Sequence, residues 1–144
     1  MLQRKTYNLT TRTEVEILKL QAERIEGSNA ISRHSAEGVI VNGQAHTSSV
    51  VVPWQGSVVA WAPSDFGALT AEHFAMLAEL NPELVIFGSG ARLRFPHPAL
   101  LRPLIERRIG VETMDTAAAS RTYNVLLQEG RAVVAALLFE TQTP

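Results

Sequence analysis

The sequence predicts a mixed α/β (α+β) domain in which an N-terminal β-meander packs with a layer of parallel strands joined by helices. Three observations carry that reading. The first half places short apolar runs between turn signals, and Asn42-Gly43 is the strongest of these because both residues tolerate positive φ. The second half changes period, with apolar strands separated by helix-length segments, which implies crossover connections and parallel pairing. Finally, 144 residues with 46% hydrophobic and 19% charged content can bury one core without staples.

Residues 1–14 read as a flexible N-terminal tail and 15–140 as a single domain. Arg4, Lys5 and Arg12 occur in the tail without an acid, but neither an amphipathic stripe nor an apolar signal core accompanies them. Glu16 to Ile25 fits a strand or a short helix, and we read a strand. Gly27-Ser28-Asn29 turns the chain. Gly38 to Asn42 and Gln44 to Val52 then form two antiparallel strands about the Asn42-Gly43 turn, and Ser57 to Trp61 adds another after the turn at Pro53 to Gly56.

Thr70 is suited to cap a helix, with Leu69 and Phe74 placed as a hydrophobic staple and Phe74, Leu77 and Ala78 on one face. That helix is expected to stop before Asn81-Pro82. Leu84 to Phe87 is a short apolar strand ending in Gly88-Ser89-Gly90. A helix over Pro98 to Arg108 starts on a proline that suits its first turn, while Pro103 kinks or restarts it and Gly110 ends it. Val111 to Met114 is a strand, Asp115 or Thr116 caps a helix through Gln128, Gly130 turns the chain, and Arg131 to Phe139 is the last strand.

Composition removes several function classes. A net charge of −1 gives no basic stripe, so a nucleic-acid partner is not expected. The absence of cysteine excludes disulfides, thiolate metal sites and cysteine nucleophiles, and fits a reducing, intracellular setting. No apolar run approaches the roughly 20 residues of a transmembrane segment. His34, His46, His73 and His97 lack metal-ligand spacing. Asp65-Phe66-Gly67 spells a kinase metal-binding tripeptide without a kinase around it, and Ser89 sits between glycines without the G-x-S-x-G of a nucleophile elbow. We therefore nominate no catalytic residue, no metal and no cofactor.

A ligand site, if the chain has one, belongs beyond the carboxyl ends of the parallel strands. Gly88, Ser89 and Gly90 follow one strand and Asp115 and Thr116 the next, so neighbouring strands would bring both loops to one crevice. Arg92 and Arg94 stand nearby to neutralise an anion, and Arg121 and Asn124 on the following helix complete the candidate ligand-binding set. Each residue also has a structural reading. The glycines can be a turn, Asp115 and Thr116 can be caps, Arg121 can pair with Glu129, and Asn124 and Tyr123 can satisfy backbone groups at a sheet edge. His97 lies close enough to the glycine loop to be a further candidate.

Gly88-Ser89-Gly90, Gly110-Val111, Met114-Asp115-Thr116, Arg121-Thr122-Tyr123-Asn124 and Glu129-Gly130-Arg131 occur in that order, a combination more specific than any one of them. Over roughly residues 15–140 the chain thereby resembles a family of small α/β domains that includes a mitochondrial respiratory complex I assembly factor. Ser89 stands where many relatives have Thr, and Ser120 where some have Cys. The resemblance implies the fold just described and a non-catalytic protein-interaction role, assisting assembly of a respiratory or other multi-subunit complex. Its partners would be other proteins, in the cytoplasm of a bacterium or the mitochondrial matrix of a eukaryote. The alternative is a small-molecule or anion-binding protein, or an enzyme, using the crevice near Gly88–Gly90 and Asp115. A homodimer through an edge strand of the meander is compatible with either.

Overall fold

The computed structural model describes residues 27–140. Thus the expected tail at 1–14 and the strand read at Glu16 to Ile25 lie outside the described residues. Eight strands follow: β1 (Ile31–His34), β2 (Val39–Val41), β3 (Gln44–His46), β4 (Val50–Pro53), β5 (Val59–Ala60), β6 (Leu84–Gly88), β7 (Gly110–Met114) and β8 (Val133–Leu137). Three α-helices among the described residues, α1 (Ala71–Ala78), α2 (Arg102–Glu106) and α3 (Thr116–Gln128), join these strands in a mixed α/β architecture.

β1, β2 and β3 form an antiparallel three-stranded sheet in sequence order, the expected meander. Its β2–β3 hairpin turns at Asn42 and Gly43 with φ of 52° and 77°, the positive values that the dipeptide signals. The single strand read over Gln44 to Val52 is two strands in different sheets. Ser49 explains the break: its Oγ accepts from Phe139 N at 3.0 Å, tying the chain to the end of β8 rather than to β2. β4 and β5 thus leave the meander and join the second sheet, of order β5-β4-β8-β6-β7.

In that sheet β6 pairs parallel with both β7 and β8, while β4 and β5 add antiparallel partners. Alternation along the strands fills two cores. Val51, Val85, Phe87, Val134, Ala136 and Leu138 face α1 and α2, where Trp61, Phe74 and Phe87 pack edge to face at ring separations of 5.5–5.9 Å. Val50, Val52, Ile86, Val133, Ala135 and Leu137 face the other way, against Ala119 and Tyr123 of α3 and Ile31, Val39 and Val41 of the small sheet. The large sheet is therefore covered on both faces, which is what parallel strands made of unbroken apolar runs require.

The helices end largely where the sequence signals them. Thr70 precedes α1, and its N–H donates to His73 Nδ1 at 3.0 Å, so a histidine takes the place usually held by Glu or Gln in the reciprocal cap. Pro98 opens a 3-10 turn over Pro98–Leu101, and Pro103 falls in the first turn of α2, so the segment restarts at the second proline. Gly110 does not end it. Arg108, at φ 58°, makes the left-handed turn, and Gly110 is already the first residue of β7.

Candidate functional site

β6 lies between β7 and β8 and is parallel to both, and the β7–β8 connection passes back across it, so the carboxyl end of β6 is the switch point where a ligand crevice is expected. The structure brings the two candidate loops together there. Ser89 N donates to Met114 O at 2.8 Å and Thr116 N to Gly90 O at 2.9 Å. The Thr116 hydroxyl accepts from Gly90 N and donates to Leu138 O, both at 2.9 Å, so one side chain ties the ends of β6, α3 and β8. Gly88 allows this closeness: a Cβ there would lie 3.0 Å from Thr116 Cα and from Leu137 Cδ2.

The amides of Ser89, Gly90 and Thr116, which an anion here would use, already have partners within the chain, and a side-chain pair lies against the glycine. Gly90 has φ 102°, and a Cβ on it would meet Arg94 Nη2 at 2.7 Å and Glu140 Oε1 at 2.8 Å. Arg94 pairs with Glu140, donates to Ser89 O at 2.7 Å, and lies 4.6 Å from the centre of the Phe66 ring. Ser89, fully buried, donates from Oγ to Arg92 O at 2.8 Å and accepts from Arg94 N at 3.0 Å. Burial alone would raise the Glu140 carboxyl, but the Arg94 and Phe66 N–H bonds and the charges of Arg94 and Arg92 outweigh it and hold its pKa below the ordinary value.

Asp115 caps α3, its carboxylate accepting from Ala118 N at 2.8 Å. Asn124 lies on the side of α3 that meets the small sheet, where it accepts from Ile31 N at 2.9 Å and donates to Ile31 O at 2.7 Å. Tyr123 beside it is buried, with its hydroxyl 2.9 Å from Asn29 O and 3.0 Å from Pro53 O, two acceptors for one proton. Burial pushes its phenol upward, so it stays a donor. Arg121 is exposed and forms no ion pair with Glu129 or any other described residue. His97 caps the 3-10 turn by accepting from Ala99 N at 3.1 Å.

The candidate set is therefore split. Gly88, Ser89, Gly90, Asp115 and Thr116 converge, Arg92 stands exposed at their rim, Asn124 is bonded to Ile31, and Arg121 is exposed without an ion pair to a described residue. Sequence reasoning gave no role to Glu140, Phe66 or Asn29. Asn29 Nδ2 donates to Pro53 O at 2.9 Å and Gly56 O at 2.8 Å, and its Oδ1 accepts from Asn42 at 2.7 Å. No local pattern marks such residues, because their partners are 13 to 94 residues away. The kinase-like tripeptide resolves into structure as well: Asp65 caps a short 3-10 turn through Ala68 N, and Phe66 supports Arg94.

A mixed α/β domain of two sheets, with the polar stretch at 115–124 largely bonded to backbone groups, is the class of protein that this fold and site define. Residues 31–138 match the family model described as a protein of unknown function (DUF498/DUF598), and the chain belongs to that family. It is 33% identical over 132 residues to the bovine NADH dehydrogenase (ubiquinone) 1 alpha subcomplex assembly factor 3, covering 90% of this chain and 70% of that protein. A crystal structure of a Bordetella parapertussis protein matches with a TM-score of 0.75 and 35% identity, over 79% of this chain and 98% of that one. A solution structure of a Bordetella pertussis protein described as a Mth938-like domain matches with a TM-score of 0.71 and 29% identity, over 80% and 88% of the two chains.

Proposed function

We propose that this protein is a non-catalytic interaction domain that assists assembly of a multi-subunit respiratory complex by contacting its subunits or other assembly proteins. The observation that carries the reading is the similarity to a complex I assembly factor over 90% of the chain. The internal use of Tyr123, Asn124, Asp115 and Thr116 supports it, since these polar groups hold elements together and are not left aimed at a reactant. The work would be done in the cytoplasm of a bacterium or the matrix of a mitochondrion. Deleting the gene and resolving respiratory complexes on a native gel tests this. Loss of assembled NADH dehydrogenase with accumulation of partial complexes is expected; an unchanged complex with unchanged assembly kinetics would refute it.

A second reading, a small anionic ligand held at Gly88–Gly90, Arg92 and Asp115, is supported by Arg92, which stands exposed beside these loops. That reading requires the Arg94–Glu140 pair to move away from Gly90. A stoichiometric small adduct in native mass spectrometry of the gently purified protein would favour it.

A further inference from the structure

The connection from β6 to β7 differs in composition from the rest of the chain. Between Ser89 and Gly110 stand Arg92, Arg94, Arg102, Arg107 and Arg108 against one acid, Glu106, in a protein whose net charge is −1. Two of these arginines are used internally, Arg94 by Glu140 and Arg107 by Glu79. Arg92, Arg102 and Arg108 are exposed and form no ion pair with a described residue, although the charge of Arg92 is felt at Glu140.

Within this basic stretch Leu93 and Phe95 are 52% and 71% exposed, on either side of the inward-held Arg94. Ser89 bonds the loop at Arg92 O and Arg94 N, the Arg94 guanidinium reaches Ser89 O, and Pro96 beyond Phe95 is buried. The backbone carrying both apolar side chains is thus fixed before any partner arrives. Rigid, exposed aromatic and aliphatic groups make efficient anchors because little entropy remains to be lost when they are buried.

Resting on the assembly reading above, the geometry points to the 91–95 loop as the surface by which this protein docks a partner subunit, Leu93 and Phe95 entering an apolar recess whose rim carries carboxylates. The acidic rim follows from charge: Arg92 is exposed and without an ion pair to a described residue beside both side chains, on a connection that carries five arginines against one acid, and carboxylates complete that positive charge. A partner of this chemistry associates quickly at low salt and more slowly as salt rises.

A photoreactive phenylalanine analogue placed at Phe95 in the full chain, expressed in its own cells, tests the docking. A matching analogue at Val125, 55% exposed on α3, serves as the control position. The expected result is one protein cross-linked from position 95 through a peptide rich in Asp and Glu, absent from position 125, with the yield falling about tenfold in Arg92→Glu. Leu93→Ser with Phe95→Ser should abolish co-purification of that protein while the domain melts as before. The same protein captured from 125 and not from 95 would overturn this surface and leave the assembly reading standing. Adducts to phospholipid alone, binding to vesicles containing phosphatidylglycerol in place of any protein, or cross-links to a second copy of the chain would also overturn it. No protein adduct at either position, together with normal respiratory assembly in the deletion strain, would remove both readings.

Discussion

α3 and the β6–β7 connection both carry many polar side chains, and they use them in opposite ways. At α3, Asp115 caps the helix itself, while Thr116, Tyr123 and Asn124 turn to backbone groups of other elements, and the helix becomes the joint between the two sheets. In the connection, one arginine turns inward and fixes the loop, while the residues beside it are left for solvent or a partner. Polar density in a sequence therefore does not distinguish a joint from a site. What distinguishes them is whether the groups are already satisfied.

The largest test of the contrast is Tyr123→Ala, which removes a fully buried ring from the core between α3 and the small sheet and should cost about 3–5 kcal/mol in urea unfolding. Tyr123→Phe separates ring from hydroxyl and should cost about 1–2 kcal/mol, because Asn29 O and Pro53 O lose their shared donor. Next, Asn124→Ala should cost about 1–3 kcal/mol and speed hydrogen exchange at the Ile31 amide far more than at Val85 in β6; equal protection at Ile31 would show that the joint does not depend on this side chain.

A smaller effect is expected of the Arg94–Glu140 pair and is read through pH. Because the folded pKa of Glu140 lies below its unfolded value, its stabilisation is complete above the ordinary glutamate range and is lost as pH falls through the lowered value. Glu140→Gln should accordingly flatten the acid limb of the stability profile relative to the parent, and parallel limbs would count against the pair. Smallest of all, Leu93→Ser with Phe95→Ser should change stability by less than about 0.5 kcal/mol per site, as expected for exposed side chains. A loss comparable with Asn124→Ala would mean that the loop is a joint too, and the contrast between the two regions would fail.

Much of the fold is legible in the chain because its signals are local. Asn42-Gly43, Thr70, Asp115 and the apolar run at Leu84 each act over a few residues, and the elements they specify are present. The roles of the site residues are less legible. Asn124 and Ile31 are 93 residues apart and Arg94 and Glu140 are 46 apart, so no window of sequence contains both members of either pair. The division of Gln44 to Val52 into two strands has the same origin, since Ser49 answers to Phe139, 90 residues on. Leu93 and Phe95 were equally silent: two apolar residues in a run of arginines give no sign of being held outward until the inward bond of Arg94 is seen.

The joint made by Tyr123 and Asn124 also orders events during synthesis. β1, β2 and β3 leave the ribosome first, yet the apolar face formed by Ile31, Val39 and Val41 is completed by a helix that ends at Gln128 and by a strand that ends at Leu137. A growing chain therefore lacks the α3 and β8 cover of this apolar surface until Leu137 has been made, and closure of these long-range contacts comes late. Any folding helper acting on this protein would meet that surface, and translation pauses placed after Val41 would lengthen the interval in which it can be met.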